Sequence, residues 1–292
     1  MSWARIPLVP HRVGVSPPPL KLRWASTFAL TVLAVVVVAM LTAVKSNGQA
    51  ANDRLPRLQG KPNLNGIWQA MNEANWDIQA HQARPGPAEY GALFAEPAGI
   101  GVVEGNEIPY TPEALRKRDE HFANRWKLDP EAKCYMAGVP RATYQPFPFQ
   151  IFQGTDKILI AYPFASASRI IHMKDVGESP ADAWMGWSRA TWDGDTLVVD
   201  VRNLIDQTWF DRAGNHHSDA LHVVERYSMT GPDLIQYEAT IDDPNVFTRP
   251  WKMSMPLYRR VEKNAQVLEF KCVPFSEELI YGHLRRGAAT GR

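Results

Sequence analysis

The sequence predicts a mainly β fold, an antiparallel up-and-down barrel with one inserted helix, preceded by an apolar N-terminal segment. Three observations carry this. About nine or ten short runs alternate apolar and polar residues and are separated by tight-turn signals. One stretch, opening at Thr111-Pro112-Glu113, has a full helix signature. Residues 25–44, from Ala25 to Val44, contain no charge at all.

As a helix, that uncharged run would reach about 30 Å, the thickness of a bilayer's hydrocarbon core. His11, Arg12, Lys21 and Arg23 precede it and Lys45 follows, so the expectation is a cytoplasmic N-terminus and an exported remainder. Two forms of export fit: a retained membrane anchor, or a signal peptide cut after Gly48-Gln49-Ala50. Residues 51–62, polar and proline-punctuated, read as a linker, and residues 63–292 as a single barrel-like domain with a helical and loop insertion at 90–148. The chain has 32 Lys and Arg against 31 Asp and Glu; removing the five basic residues of the first fifty leaves the exported part near −4. A mildly acidic surface without a basic stripe argues against nucleic acid as a partner, and confines membrane contact to the N-terminal segment. Cys134 and Cys272 both fall in the exported part, where an oxidising compartment favours a disulfide over two separate thiols.

The folded part opens at Gly66-Ile67-Trp68. After loops broken by Pro85, Pro87 and Pro97, Thr111 can cap a helix with Pro112 at its first position, burying Leu115, Phe122 and Trp126 on one side. Residues 140–148, with Pro140, Pro146 and Pro148, read as an extended, rigid segment. Strands follow at 149–152 and 157–162, then 169–173, then 184–192 and 196–201 across Asp193-Gly194-Asp195, a strong hairpin signal. Further strands are expected at 220–228, 234–241, 252–258 and 266–273. At 234–241 Ile235, Tyr237, Ala239 and Ile241 share one side, and at 266–273 Leu268, Phe270 and Cys272 share the buried one.

Gly66-Ile67-Trp68 on an opening strand, followed by serial hairpins, resembles the lipocalin or wider calycin pattern. Residues 129–144 and 191–270 also resemble an uncharacterised family of exported bacterial β-rich proteins. The calycin likeness implies a cup for a small apolar ligand; neither likeness implies a catalytic residue.

Polar chemistry concentrates in the loop from Asp206 to His222. His217 or His222 could act as general acid or base, oriented by Asp206, Asp211 or Asp219. His217, His222 and Asp219 also offer a donor set for a divalent metal such as zinc, copper or iron. Their spacing is neither the i, i+4 of a helical site nor the i, i+2 of a strand, and the same residues can satisfy backbone amides around a Gly214-Asn215 turn. The strand that begins at His222 carries Glu225 on one side and Arg226 on the other, so one charge must face inward, paired or toward a ligand. Arg141 and Tyr144 on the proline-framed segment and Trp209 in the polar loop complete the expected ligand rim, unless Tyr144 is core.

Nucleophile-elbow, zincin, P-loop and dinucleotide-binding signatures do not occur in the sequence. The expected function is therefore binding of a small, largely apolar molecule. The alternative is an enzyme of hydratase, isomerase, lyase or hydrolase type on the same scaffold.

Overall fold

Alternating side chains and short turns close a nine-strand barrel in the computed structural model, which describes residues 55–287. The strands are β3 (Gly66–Ala70), β4 (Phe149–Gln153), β5 (Lys157–Ala161), β6 (Ser168–His172), β7 (Trp187–Asp193), β8 (Thr196–Arg202), β9 (His222–Gly231), β10 (Leu234–Asp242) and β11 (Trp251–Arg259). They pair in chain order, and β11 returns to β3 at Leu257–Arg259 against Trp68–Ala70. All junctions are antiparallel except β6–β7, a parallel pairing of Ile171 with Ser188 and His172 with Arg189. Residues 173–186 cross over between these two strands. Trp184, expected in a strand, belongs to that crossover and packs on Tyr135 at 4.8 Å.

The period-2 pattern decides the faces. Ile235, Tyr237, Ala239 and Ile241 of β10 are all 0% exposed, as are Val199, Val201 and Val223 on β8 and β9. Gly194 at φ 59° turns β7 into β8. The opening strand is pinned by its own motif. Trp68 is buried, its Nε1 donates to Leu64 O at 2.9 Å, and the Arg259 guanidinium lies 4.2 Å from its ring centroid. Gly66 sits at φ 144°, where a Cβ would lie 2.2 Å from Arg259 Nη1. The sequence therefore needs glycine there.

Residues 55–62 do not form a tether. Arg57–Leu58 (β1) and Lys61–Pro62 (β2) make a small hairpin docked on the β7–β8 turn. Arg57 pairs with Asp195 at 2.5 Å, and Lys61 Nζ donates to Gly194 O at 2.9 Å and sits 5.8 Å from the Trp192 ring. The residues 25–44, the Gly48–Ala50 processing site and the start of the linker lie outside the described residues. Among the described residues no helix is long and apolar enough to cross a membrane.

All of residues 71–148 separate β3 from β4, and they fold over one end of the barrel. Helix α1 (Pro112–Ala123) is capped as expected, Thr111 Oγ1 accepting from Ala114 N. Its buried residue is Ala114, whereas Leu115 is 45% exposed. Phe122 is covered by the guanidinium groups of Arg84, Arg118 and Arg125 at 4.2–5.3 Å. Trp126 belongs to a separate short helix, α2 (Arg125–Leu128). With Leu115 exposed, Phe122 under guanidinium groups and Trp126 on a separate turn, the expected Leu115, Phe122 and Trp126 face does not form.

The proline-framed segment is not extended throughout. Arg141–Tyr144 form one turn, α3, because Pro140 precedes the turn and Pro146 follows it, leaving no proline inside. The last expected strand, 266–273, is also absent. Those residues run as an irregular strap across the outer wall, joined to Cys134 by the Cys134–Cys272 disulfide, before helix α4 (Ser276–Tyr281).

Candidate functional site

The Asp206–His222 loop lies at the barrel end covered by the insertion, and its titratable groups diverge. Asp206 and Asp219 are exposed. Asp211 is 0% exposed and accepts from Ile78 N (2.9 Å), Asn215 N (3.1 Å) and Asn215 Nδ2 (2.5 Å). Burial, with the charge of Asp77 second, pushes its carboxyl up to about 7. His217 is buried. Its Nδ1 lies 2.8 Å from Ser218 O, which can only accept, so that nitrogen carries the hydrogen and Nε2 accepts from Thr208 Oγ1 at 2.7 Å. Both ring nitrogens are thus occupied, and burial lowers the pKa of the ring. His222 is instead on the outer wall, with Nε2 2.6 Å from Asp200 Oδ2.

The expected His217–His222–Asp219 metal set and the expected acid–base pair therefore do not assemble. His217 is held within the loop by Thr208 and Ser218, and His222 on the outer wall by Asp200 and Arg202, so the two rings share no partner. Among the described residues no three His, Cys, Asp or Glu side chains converge as a metal would require. The neighbouring His216 is 3% exposed, and burial, then the ring of His121, lowers its pKa to about 3. Trp209 is not at a rim: it is buried and stacks on His121 of α1 at 4.4 Å. Gly214 makes that docking possible, since a Cβ on it would lie 2.7 Å from His121 Cβ.

Arg141 and Tyr144 are likewise interior. Arg141, 2% exposed, holds Asp129 with two nitrogens (3.0 and 3.3 Å), Glu131 (2.6 Å) and Asn75 (3.0 Å). Tyr144 donates to Phe210 O at 2.7 Å. Arg141 knits the insertion to itself, and Tyr144 ties it to the polar loop. Their rigidity is used for packing, because the segment lies beneath the insertion and not at an opening.

Within the barrel, Glu225 is the inward charge of β9. Its carboxylate accepts from both terminal nitrogens of Arg169, Nη1 at 3.1 Å, and from the hydroxyls of Tyr227 (3.0 Å) and Tyr237 (2.8 Å). Arg169 Nε adds a bond to Ser188 Oγ at 2.8 Å. Arg226, on the opposite side, faces outward and pairs with Asp193 at 2.9 Å. The partner Arg169 lies 56 residues away in sequence, and only the barrel's closure brings it to Glu225. Met253, Leu257 and Trp68, also 0% exposed, belong to the same buried hydrophobic core as Tyr227 and Tyr237. The inward side chains meet one another, so the barrel's centre is a core and not an open cup.

An apolar concavity does exist, on the outside. A cleft of about 410 Å³ lies between the wall of β3–β5 and the C-terminal strap. β3 gives Ile67, the end of the insertion gives Phe147 and Pro148, the turn after β5 gives Pro163, and the strap gives Ala265, Leu268 and Phe270; Arg260, Gln266 and Glu269 are its polar members. The volume is that of a small-molecule site, about 300–1,000 Å³, and the composition matches one. The sequence carried a signal for it. Leu268 and Phe270 alternate with Glu269 and Lys271, but no strand forms: Leu268, Glu269 and Phe270 all border the cleft, and Leu268 is 68% exposed. Phe270 contacts Phe147 at 4.9 Å and Phe164 at 5.5 Å. No family model matches the chain, and neither a curated protein nor a solved structure matches it.

Proposed function

We propose that this protein is exported and binds a small, largely apolar molecule in the cleft between the barrel's outer wall and its C-terminal strap. The observation that carries the proposal is the cleft itself, roughly drug-sized, with an apolar floor and an apolar roof. Export is supported by the uncharged residues 25–44 and by a disulfide of the kind that persists in oxidising compartments. The calycin-like Gly66-Ile67-Trp68 opening supports a binding role, although the ligand position proposed here differs from a calycin's lumen. Binding is favoured over catalysis because the cleft's polar members are Arg260, Gln266 and Glu269, and none of the loop's histidines or aspartates lines it.

The test is a fluorescence titration with the apolar probe 1-N-phenylnaphthylamine. Saturable binding is expected, lost on Ala265→Trp, which fills the cleft, and weakened on Phe270→Ala. No binding, or binding indifferent to both changes, refutes the proposal.

A further inference from the structure

We infer that the Cys134–Cys272 disulfide is a redox-sensitive latch on the roof of this cleft, so that reduction opens the strap and releases the bound molecule. The inference rests on the binding proposed above.

The roof is held at its two ends. At the start, Arg260 N donates to Ile67 O at 2.8 Å, and Arg260 Nη1 reaches Gln69 Oε1 at 2.8 Å. At the far end stand the disulfide and, three residues on, Phe275 N donating to Ala132 O at 2.8 Å. Between them, among the described residues, the backbone of residues 261–274 makes no hydrogen bond to the barrel. Its bonds are local, Ala265 N to Glu262 O and Ser276 N to Val273 O. A segment without ladder bonds opens at low free-energy cost unless side chains or a crosslink hold it. Side-chain anchorage is thin: Phe270 packs on two phenylalanines, while Leu268 is 68% exposed and Val261 69%.

The latch also sits where it controls the cavity. Cys272 lies two residues beyond Phe270, and both line a second hollow of about 160 Å³ that shares Phe147 and Phe270 with the main cleft. Both cysteines are half-buried and not sealed in the core, and attack on the bridge needs access to one of its sulfurs. The barrel's own strands close without either residue, which lie outside all nine.

The chemistry balances with one external dithiol. Its thiolate attacks one sulfur of the bridge, expelling the other as thiolate, which takes up a proton. The donor's second thiol then attacks the mixed disulfide. Two electrons and two protons end on Cys134 and Cys272, and the donor leaves as its own disulfide. The strap then keeps its two ends, Arg260 on β3 and Phe275 N on Ala132 O, while the Phe270 contacts alone hold the span between them.

The experiment uses the full-length chain, oxidised or treated with dithiothreitol, and the Cys134→Ser/Cys272→Ser variant. Two quantities are read: hydrogen exchange across residues 261–274, and the affinity and release rate of 1-N-phenylnaphthylamine. The expected result is faster exchange confined to the strap, a Kd raised about tenfold and faster release in the reduced chain and the variant, with the near-ultraviolet dichroism of the barrel kept. Equal affinity and release in both redox states overturns the latch while leaving the binding proposal intact. Absence of probe binding in the oxidised chain overturns both. Loss of the barrel's dichroism on reduction overturns the latch as well, since the bridge would then be a staple of the whole fold.

Discussion

Replacing Glu225 by Gln should cost this fold about 3–5 kcal/mol, the usual cost of breaking a buried ion pair by removing one member. The structure explains why the cost falls in that range. Glu225 and Arg169 are 0% and 1% exposed along their side chains, so water cannot take over from a missing partner. Glutamine keeps the volume but offers one acceptor oxygen where the carboxylate offers two. Arg169 Nη1, Tyr227 and Tyr237 all donate to Oε1, and a second Arg169 nitrogen donates to Oε2. The amide nitrogen would face a donor, and the guanidinium charge would stay buried without compensation. Against a total stability of about 5–15 kcal/mol this is a large fraction. With a urea slope of about 2 kcal/mol per molar, the midpoint should fall by about 2 M. The assay is urea denaturation followed by tryptophan fluorescence. Arg226→Ala is the control: its exposed pair with Asp193 should be worth about 0–1 kcal/mol. The double change Arg169→Met/Glu225→Leu should cost less than Glu225→Gln alone, because it removes both charges together. A Glu225→Gln midpoint within about 0.3 M of the parent would refute the reasoning, since it would mean that solvent reaches the cluster.

Two further predictions follow from the same physics. Asp211, whose carboxyl is pushed up to about 7 by burial, binds its proton more tightly folded than unfolded. Its contribution therefore makes stability fall as pH rises from about 4 to about 7 and level off above, and Asp211→Asn should flatten that slope in denaturation curves taken across the range. The variant should also lose about 1–3 kcal/mol at every pH, because three donors then share one acceptor oxygen; an unchanged slope would contradict the assignment. Gly66→Ala should destabilise by about 1–3 kcal/mol in thermal or urea melts, because a Cβ at φ 144° would press on Arg259 and lift it from Trp68; a neutral result would show that the Arg259 stack carries no weight.

The comparison of sequence with structure separates by distance along the chain. The Thr111 cap, the Gly194 turn and the inward side of β10 each depend on neighbours within a few residues, and each is where the sequence placed it. The chosen site residues fared differently. His217 and His222 are five apart, yet one is buried in the loop and the other lies on the outer wall. Arg141 and Tyr144 look like a rigid rim from their prolines, yet the insertion folds over them.

Patterns of period two and the chemistry of turns were enough to determine a mainly β chain, its hairpins, its one capped helix and an inward charge on β9. What the tertiary structure alone decided is where each face points: a barrel filled by its own side chains, Glu225 answered by Arg169 from three strands away, and a strap instead of a last strand. The physical reason is that local conformation is set by steric and hydrogen-bonding preferences of adjacent residues, whereas burial is set by whatever distant segment comes to cover a surface. In this protein the covering segment, residues 261–274, makes the cleft.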